Sequence, residues 1–142
     1  MILEVRMSIW VEDHDLRVDG QAGFRKDYRT TDNVFIMQTV IANAHKVKNK
    51  LYCYFVDFKK VFDSVPRQRL WEVLASLGVK RVILACIHSI YEQDEASVLT
   101  RAGLTEAFRC TAGVKQGCPA SPLLFGLYKD ELEALLGADA IA

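Results

Sequence analysis

Leu51-Tyr-Cys-Tyr-Phe-Val56 is an unbroken apolar run that ends in a carboxylate at Asp57, after which the chain turns through Phe58-Lys-Lys-Val-Phe62-Asp63. Six apolar residues in a row, rich in aromatic and branched side chains, read as a buried strand. An unpaired carboxylate taken out of water costs several kcal/mol or shifts its pKa. Folds accept that cost where the carboxylate holds a metal or does chemistry, and sheet proteins place such sites at strand carboxyl ends. A strand-end aspartate that merely caps its turn is the common alternative. Asp57 alone slightly favours the second case.

The rest of the composition narrows the classes open to the chain. With 142 residues, 51% of them hydrophobic, one domain with its own core is expected. Eighteen basic and 18 acidic residues cancel, which leaves no global positive field to gather nucleic acid. Such a role needs local patches, at Arg25-Lys26 with Arg29, at His45-Lys46 with Lys48 and Lys50, or at Lys59-Lys60. Each is equally a solvated helix face or loop. Cysteines 53, 86, 110 and 118 form no Cys-x-x-Cys pair, and Cys53 and Cys86 read as small buried hydrophobes. A reducing intracellular compartment (cytoplasm or nucleus) is expected, with no signal peptide, no membrane-spanning segment and no membrane partner.

Periodicity lays out the elements. Leu3, Met7, Trp10 and Val11 make one helical stripe, and a Gly-containing polar stretch from Asp19 to Arg29 follows. Thr30 or Thr31 caps a second helix whose apolar face is Val34, Met37, Val40, Ile41, Ala44 and Val47. Pro66 starts a third, with Leu70, Val73, Leu74 and Leu77 inward and Gly78 as its stop. Asp63 is read as a cap for that helix. A fourth runs from about Val79 to Tyr91, and a hairpin turns at Arg101-Ala-Gly103. The last begins at Ser121-Pro122, with Phe125, Tyr128, Leu132 and Leu135 inward and Glu131 and Glu133 outward.

A second segment carries chemistry: Gly113-Val-Lys-Gln116-Gly117-Cys-Pro-Ala-Ser121-Pro-Leu-Leu-Phe125. Its glycines let a ligand or backbone approach closely, and Gln116 has the groups to bond a base or sugar edge. Read alone, a Gly-rich connector to a Pro-capped helix is the better account.

Both segments together, in this order, resemble a reverse transcriptase, of the non-long-terminal-repeat retrotransposon type. Phe55-Val-Asp57-Phe-Lys-Lys-Val-Phe62-Asp63-Ser-Val65 looks like its first catalytic motif (motif A), and Gly113 to Phe125 looks like motif B. Gln21-Ala-Gly-Phe-Arg25 with Thr31-Asp32 looks like the fingers-to-palm segment before them. The resemblance implies an α+β fold, a partial right-hand polymerase with helices on a small antiparallel sheet. It implies about 1–50 as the fingers-to-palm segment and about 51–142 as palm.

It further implies Asp57 as the catalytic carboxylate and magnesium ligand, with the backbone carbonyl of Phe58 as a second ligand. By the same resemblance, Phe62 is expected under the nucleotide sugar, excluding a 2′-hydroxyl, Gln116 and Gly117 against the nucleotide and template, Lys115 and Lys60 near phosphate, and Arg25 on nucleic-acid backbone. The implied cofactor is Mg2+, and the implied partners are an RNA template, a DNA primer and a dNTP.

The chain departs from the family pattern. Val61 stands where alanine is usual and Ala120 where leucine is common. No aromatic-x-Asp-Asp hairpin follows motif B within the 142 residues, whose final stretch holds Asp139 alone among aspartates. Basic fingers strands and a thumb are likewise absent. Two expectations follow: the chain by itself does not polymerise, and its strand at 51–57, lacking a partner, is an exposed aggregation-prone edge. The alternative is a decayed, non-catalytic remnant with at most weak nucleic-acid binding.

Overall fold

Helix α1, Ile2–Asp13, lays Met7 and Val11 into the same core that α3, Arg67–Ser76, fills with Leu70 and Leu74. A computed structural model describes residues 2–18 and 20–136 of the chain, and only the backbone over 132–136. The expected inward positions Leu132 and Leu135, outward Glu133, and Asp19 and Asp139 lie outside what it describes. Helix α2 is Thr30–Lys46, α4 is Arg81–Glu92 and α5 is Ser121–Leu136. Ile87 and Tyr91 of α4 and Leu123, Leu124 and Leu127 of α5 complete the core with Val65, Val79, Val114 and Ala120.

The helix signals act as read at α3. Pro66 precedes its first turn, and Gly78 at φ +87° takes the left-handed position that stops it. The hairpin also forms. β2 (Leu99–Thr100) pairs antiparallel with β3 (Gly103–Leu104), and β1 (Glu95–Ala96) with β4 (Phe108–Arg109). The class is α+β, but these short ladders lie on the surface and the core belongs to the helices.

Four local expectations are corrected. Residues 51–58 form no ladder, and every residue from Leu51 to Lys60 is exposed, Tyr54 to 94%. A strand needs a neighbour for its N–H and C=O groups, and none of the four described strands pairs with this run. Cys53 is exposed with it, and Cys86 is exposed on the outer side of α4. Helix α2 buries no residue. Its Ile36, Met37 and Val40 instead share an open groove of about 800 Å³ with Tyr52–Phe55. Its N-cap is Arg29 rather than either threonine, and the Arg29 N–H donates to Asp32 Oδ2 at 2.9 Å.

One buried ion pair ties the loop after α1 to α5. Arg17 Nε donates to Asp130 Oδ2 at 2.6 Å, with side-chain exposures of 1% and 8%. Gly126 leaves room for the guanidinium, since a Cβ there would lie 2.6 Å from Arg17 Nη2. Nearby, Lys129 Nζ donates to the buried Gln21 Oε1.

Candidate functional site

The turn after Asp57 and the loop before α5 meet through their backbones. Val114 N–H donates to Phe62 O at 2.7 Å, and Gly113 N–H to Val65 O at 2.8 Å. Gly113 permits this approach. Its φ is +84°, and a Cβ would stand 2.8 Å from both Asp63 Cα and Phe62 O. A side-chain bond adds a third tie, from Gln116 Nε2 to Asp63 Oδ1 at 2.8 Å. Asp63 is therefore not the helix cap expected of it; Pro66 occupies that place and Asp63 is spent on the loop.

These ties open a cleft of about 510 Å³ that Phe62, Lys115, Gln116, Gly117, Cys118 and Ser121 line. The Phe62 ring is packed between Phe125, 5.3 Å away, and Phe24, 6.2 Å away edge-on. Such contacts hold an aromatic face in one orientation. Ser121, first in α5, donates from Oγ to Lys115 O at 2.6 Å and so fastens the loop to the helix. The cleft lining joins the Phe62 ring and two prolines with the amide of Gln116 and the cation of Lys115.

Four of the residues marked in the sequence thus come together: Phe62, Lys115, Gln116 and Gly117. Asp57, Phe58 and Lys60 stay on the exposed stretch that leads into the turn, with Lys60 in the left-handed region at φ +51°. Phe58 lines a separate hollow with Val61 and Phe125. Arg25 is occupied. Its guanidinium donates to Glu12 Oε2 at 2.9 Å and to Val18 O at 3.3 Å, and lies 4.3 Å over the Tyr28 ring. The Glu12 hydrogen bond, against the opposing effect of burial, holds Arg25 more firmly protonated than usual.

Sequence reading missed Arg67 and Asp94. Arg67 donates to the carbonyls of Gly113 (2.8 Å), Cys110 (2.6 Å) and Ala112 (3.2 Å), and to Asp94 Oδ2. Asp94 Oδ1 takes Lys115 Nζ at 3.1 Å. A signal for Arg67 existed: a cation in the first turn of α3 opposes the helix dipole, so it calls for acceptors nearby. Asp94, in the connection after α4, carried none.

Burial alone would push the Asp94 carboxyl up, but the hydrogen bonds and charges of Arg67 and Lys115 outweigh it and hold it below its ordinary value of 3.8. A carboxyl depressed in the folded state adds stability that is complete above the unfolded value and lost as pH falls through the folded one. Asp94→Asn is therefore expected to lower stability most at neutral pH and to flatten the acid limb of a stability–pH curve below about pH 4, where wild type and variant converge, as followed by urea midpoints. A wild-type acid limb in that variant would show that the pair adds nothing.

The Asp57 carboxylate and the Phe58 carbonyl are hard oxygen donors, which fit magnesium in kind. They do not fit it in number: among the described residues no three His, Cys, Asp or Glu side chains gather where a metal ion could sit. Nor, among those residues, is any helix long and apolar enough to cross a membrane.

The comparisons agree with the geometry. The family profile for "Reverse transcriptase (RNA-dependent DNA polymerase)" matches residues 6–140. The chain is 31% identical over 112 residues to the Retrovirus-related Pol polyprotein from type-2 retrotransposable element R2DM of Drosophila melanogaster, covering 79% of this chain and 11% of that protein. It is 24% identical over 135 residues to the Probable RNA-directed DNA polymerase from transposon X-element of the same fly, with 92% and 14% covered. A Pol polyprotein from type-1 retrotransposable element R2 of Popillia japonica is 27% identical over 132 residues, with 92% and 18% covered. The chain thus spans less than a fifth of the length of these relatives. Reverse transcriptases work with a divalent metal and bind template and primer, and by its two motifs, their joined backbones and this match the chain belongs to the reverse transcriptase family.

Proposed function

We propose that these 142 residues are the fingers–palm portion of an RNA-directed DNA polymerase of retroelement origin, with about 1–50 as fingers-to-palm segment and about 51–142 as palm. The observation that carries the reading is the cleft in which Phe62 faces Gln116 and Gly117, built by backbone bonds between motif A and motif B. There the Phe62 ring supports the sugar of an incoming dNTP and its bulk excludes a 2′-hydroxyl, the group that separates ribonucleotide from deoxyribonucleotide. Gln116 and Gly117 meet the nucleotide and the template strand. Lys115 and Lys60 face phosphate, while Arg25, held by Glu12, steadies the loop that brings Phe24 against Phe62. Asp57 and the Phe58 carbonyl supply two oxygens toward Mg2+, whose task in nucleotidyl transfer is to activate the primer hydroxyl and stabilise the leaving group.

Asp57 lacks partner carboxylates among the described residues, so the 142-residue chain alone is expected to leave a DNA primer on an RNA template unextended in magnesium. Extension that disappears with Asp57→Ala would refute that expectation. The function itself is tested by exchange. The matching segment of the R2DM protein is replaced by this one; the exchanged protein is expected to extend primers and to lose extension with Asp57→Ala. A folded exchange that cannot extend would sink the proposal and favour a non-catalytic remnant.

A further inference from the structure

We propose that Arg67 and Asp94 are positioning residues for the nucleotide cleft: together they fix where the 113–117 loop stands against Phe62. The assignment rests on the nucleotide reading of that cleft.

The geometry is a single ionic knot that joins three parts of the chain. Arg67 opens α3, directly after the motif A turn, and its side chain is 11% exposed. Its donors converge on the carbonyls of Cys110, Ala112 and Gly113, none of which belongs to a helix or strand. A loop has no ladder of its own, so charge-assisted bonds to one planar cation add to the backbone bonds of Gly113 and Val114 in fixing its position. Asp94, after α4, takes Arg67 on one oxygen and Lys115 on the other. The Tyr91 ring at the end of α4 lies 4.8 Å from the Arg67 guanidinium and 5.9 Å from Lys115 Nζ.

The consequence falls on the cleft rather than on the core. Helices α3 and α4 already pack through Leu70, Leu74 and Ile87. The carbonyls that Arg67 holds belong to the loop whose next residues, Lys115, Gln116 and Gly117, form the cleft wall. Asp94 adds the direction in which Lys115 points. Lysine cannot substitute for Arg67, because it carries a point charge on a flexible stem and lacks the planar fork that spans several acceptors.

Amide spectra of the 142-residue chain, with and without magnesium dTTP, test this. Arg67→Lys is expected to move the backbone resonances of Gly113 and Gly117 and the side-chain amide of Gln116, to leave those of Met7 and Val11 in place, and to weaken dTTP binding about tenfold. A purely structural Arg67 would lower the melting temperature but leave those resonances and the dTTP affinity as in wild type, and that result overturns the proposal. Should Arg67→Lys fail to fold, Asp94→Asn keeps the volume and an acceptor for Arg67 while releasing Lys115. It is expected to move the same Gln116 and Gly117 resonances, and unmoved resonances there overturn the proposal equally. Moved loop resonances in a protein whose wild type ignores dTTP would keep the ionic knot and refute the nucleotide reading instead.

Discussion

Gly113→Ala is expected to lower stability by about 3–5 kcal/mol, from left-handed strain of 1–3 kcal/mol together with loss of backbone hydrogen bonds worth about 1 kcal/mol each. At φ +84° an alanine is strained wherever it sits, and here its Cβ would also stand 2.8 Å from Phe62 O and Asp63 Cα and 2.9 Å from Asp63 O. Those are backbone atoms, so no side chain can swing aside. Relief requires the 62–65 turn and the 113–114 loop to part, which breaks Gly113 N–H to Val65 O and Val114 N–H to Phe62 O. A domain's whole margin is about 5–15 kcal/mol, so the variant should melt about 10 °C lower or more, or fail to fold. Gly117→Ala is the control. Its φ is +82°, with nothing within 4 Å of the added Cβ, so only the strain applies, about 1–3 kcal/mol. Thermal melts by circular dichroism compare the two, and equal losses would refute the close-approach account of Gly113.

Leu70→Ala carries the other large effect, about 2–5 kcal/mol, because removing a buried leucine loses its transfer free energy and leaves a cavity. Leu70 is 0% exposed at the contact of α3 with α5, where Leu124 and Leu127 are each 1% exposed. The comparison that gives this meaning is α2. Val34 (51% exposed) and Ile41 (38%) repeat at helical spacing as regularly as any core stripe, yet they touch no core. Val34→Glu and Ile41→Gln are therefore expected to change stability by no more than about 0.5 kcal/mol and to improve solubility. Urea midpoints decide it. A loss in either α2 variant comparable to that of Leu70→Ala would mean that this face is packed in solution.

The contrast between α2 and α3 shows what periodicity conveys. Both helices are legible, since apolar spacing and end signals are local. Whether an apolar face is buried is not local, because it depends on what lies across from it. Leu51–Val56 makes the same point for strands. Its composition states a strand, but a strand exists only as a ladder, and no described segment pairs with it. Arg67 and Asp94 escaped notice for a related reason. An arginine and an aspartate 27 residues apart look like any solvated charges until the chain brings them together.

By itself, the sequence established the family, through motif order, the helices, and the hairpin at Arg101-Ala-Gly103. It also placed Phe62, Lys115, Gln116 and Gly117 at one site by resemblance. Tertiary structure alone decided that Asp63 goes to Gln116, that Arg25 goes to Glu12, and that Arg67 and Asp94 hold the loop behind the cleft. Motifs are read from neighbours along the chain. Which charge meets which is settled by distance in space, where a few ångströms separate a solvated side chain from one that holds three carbonyls.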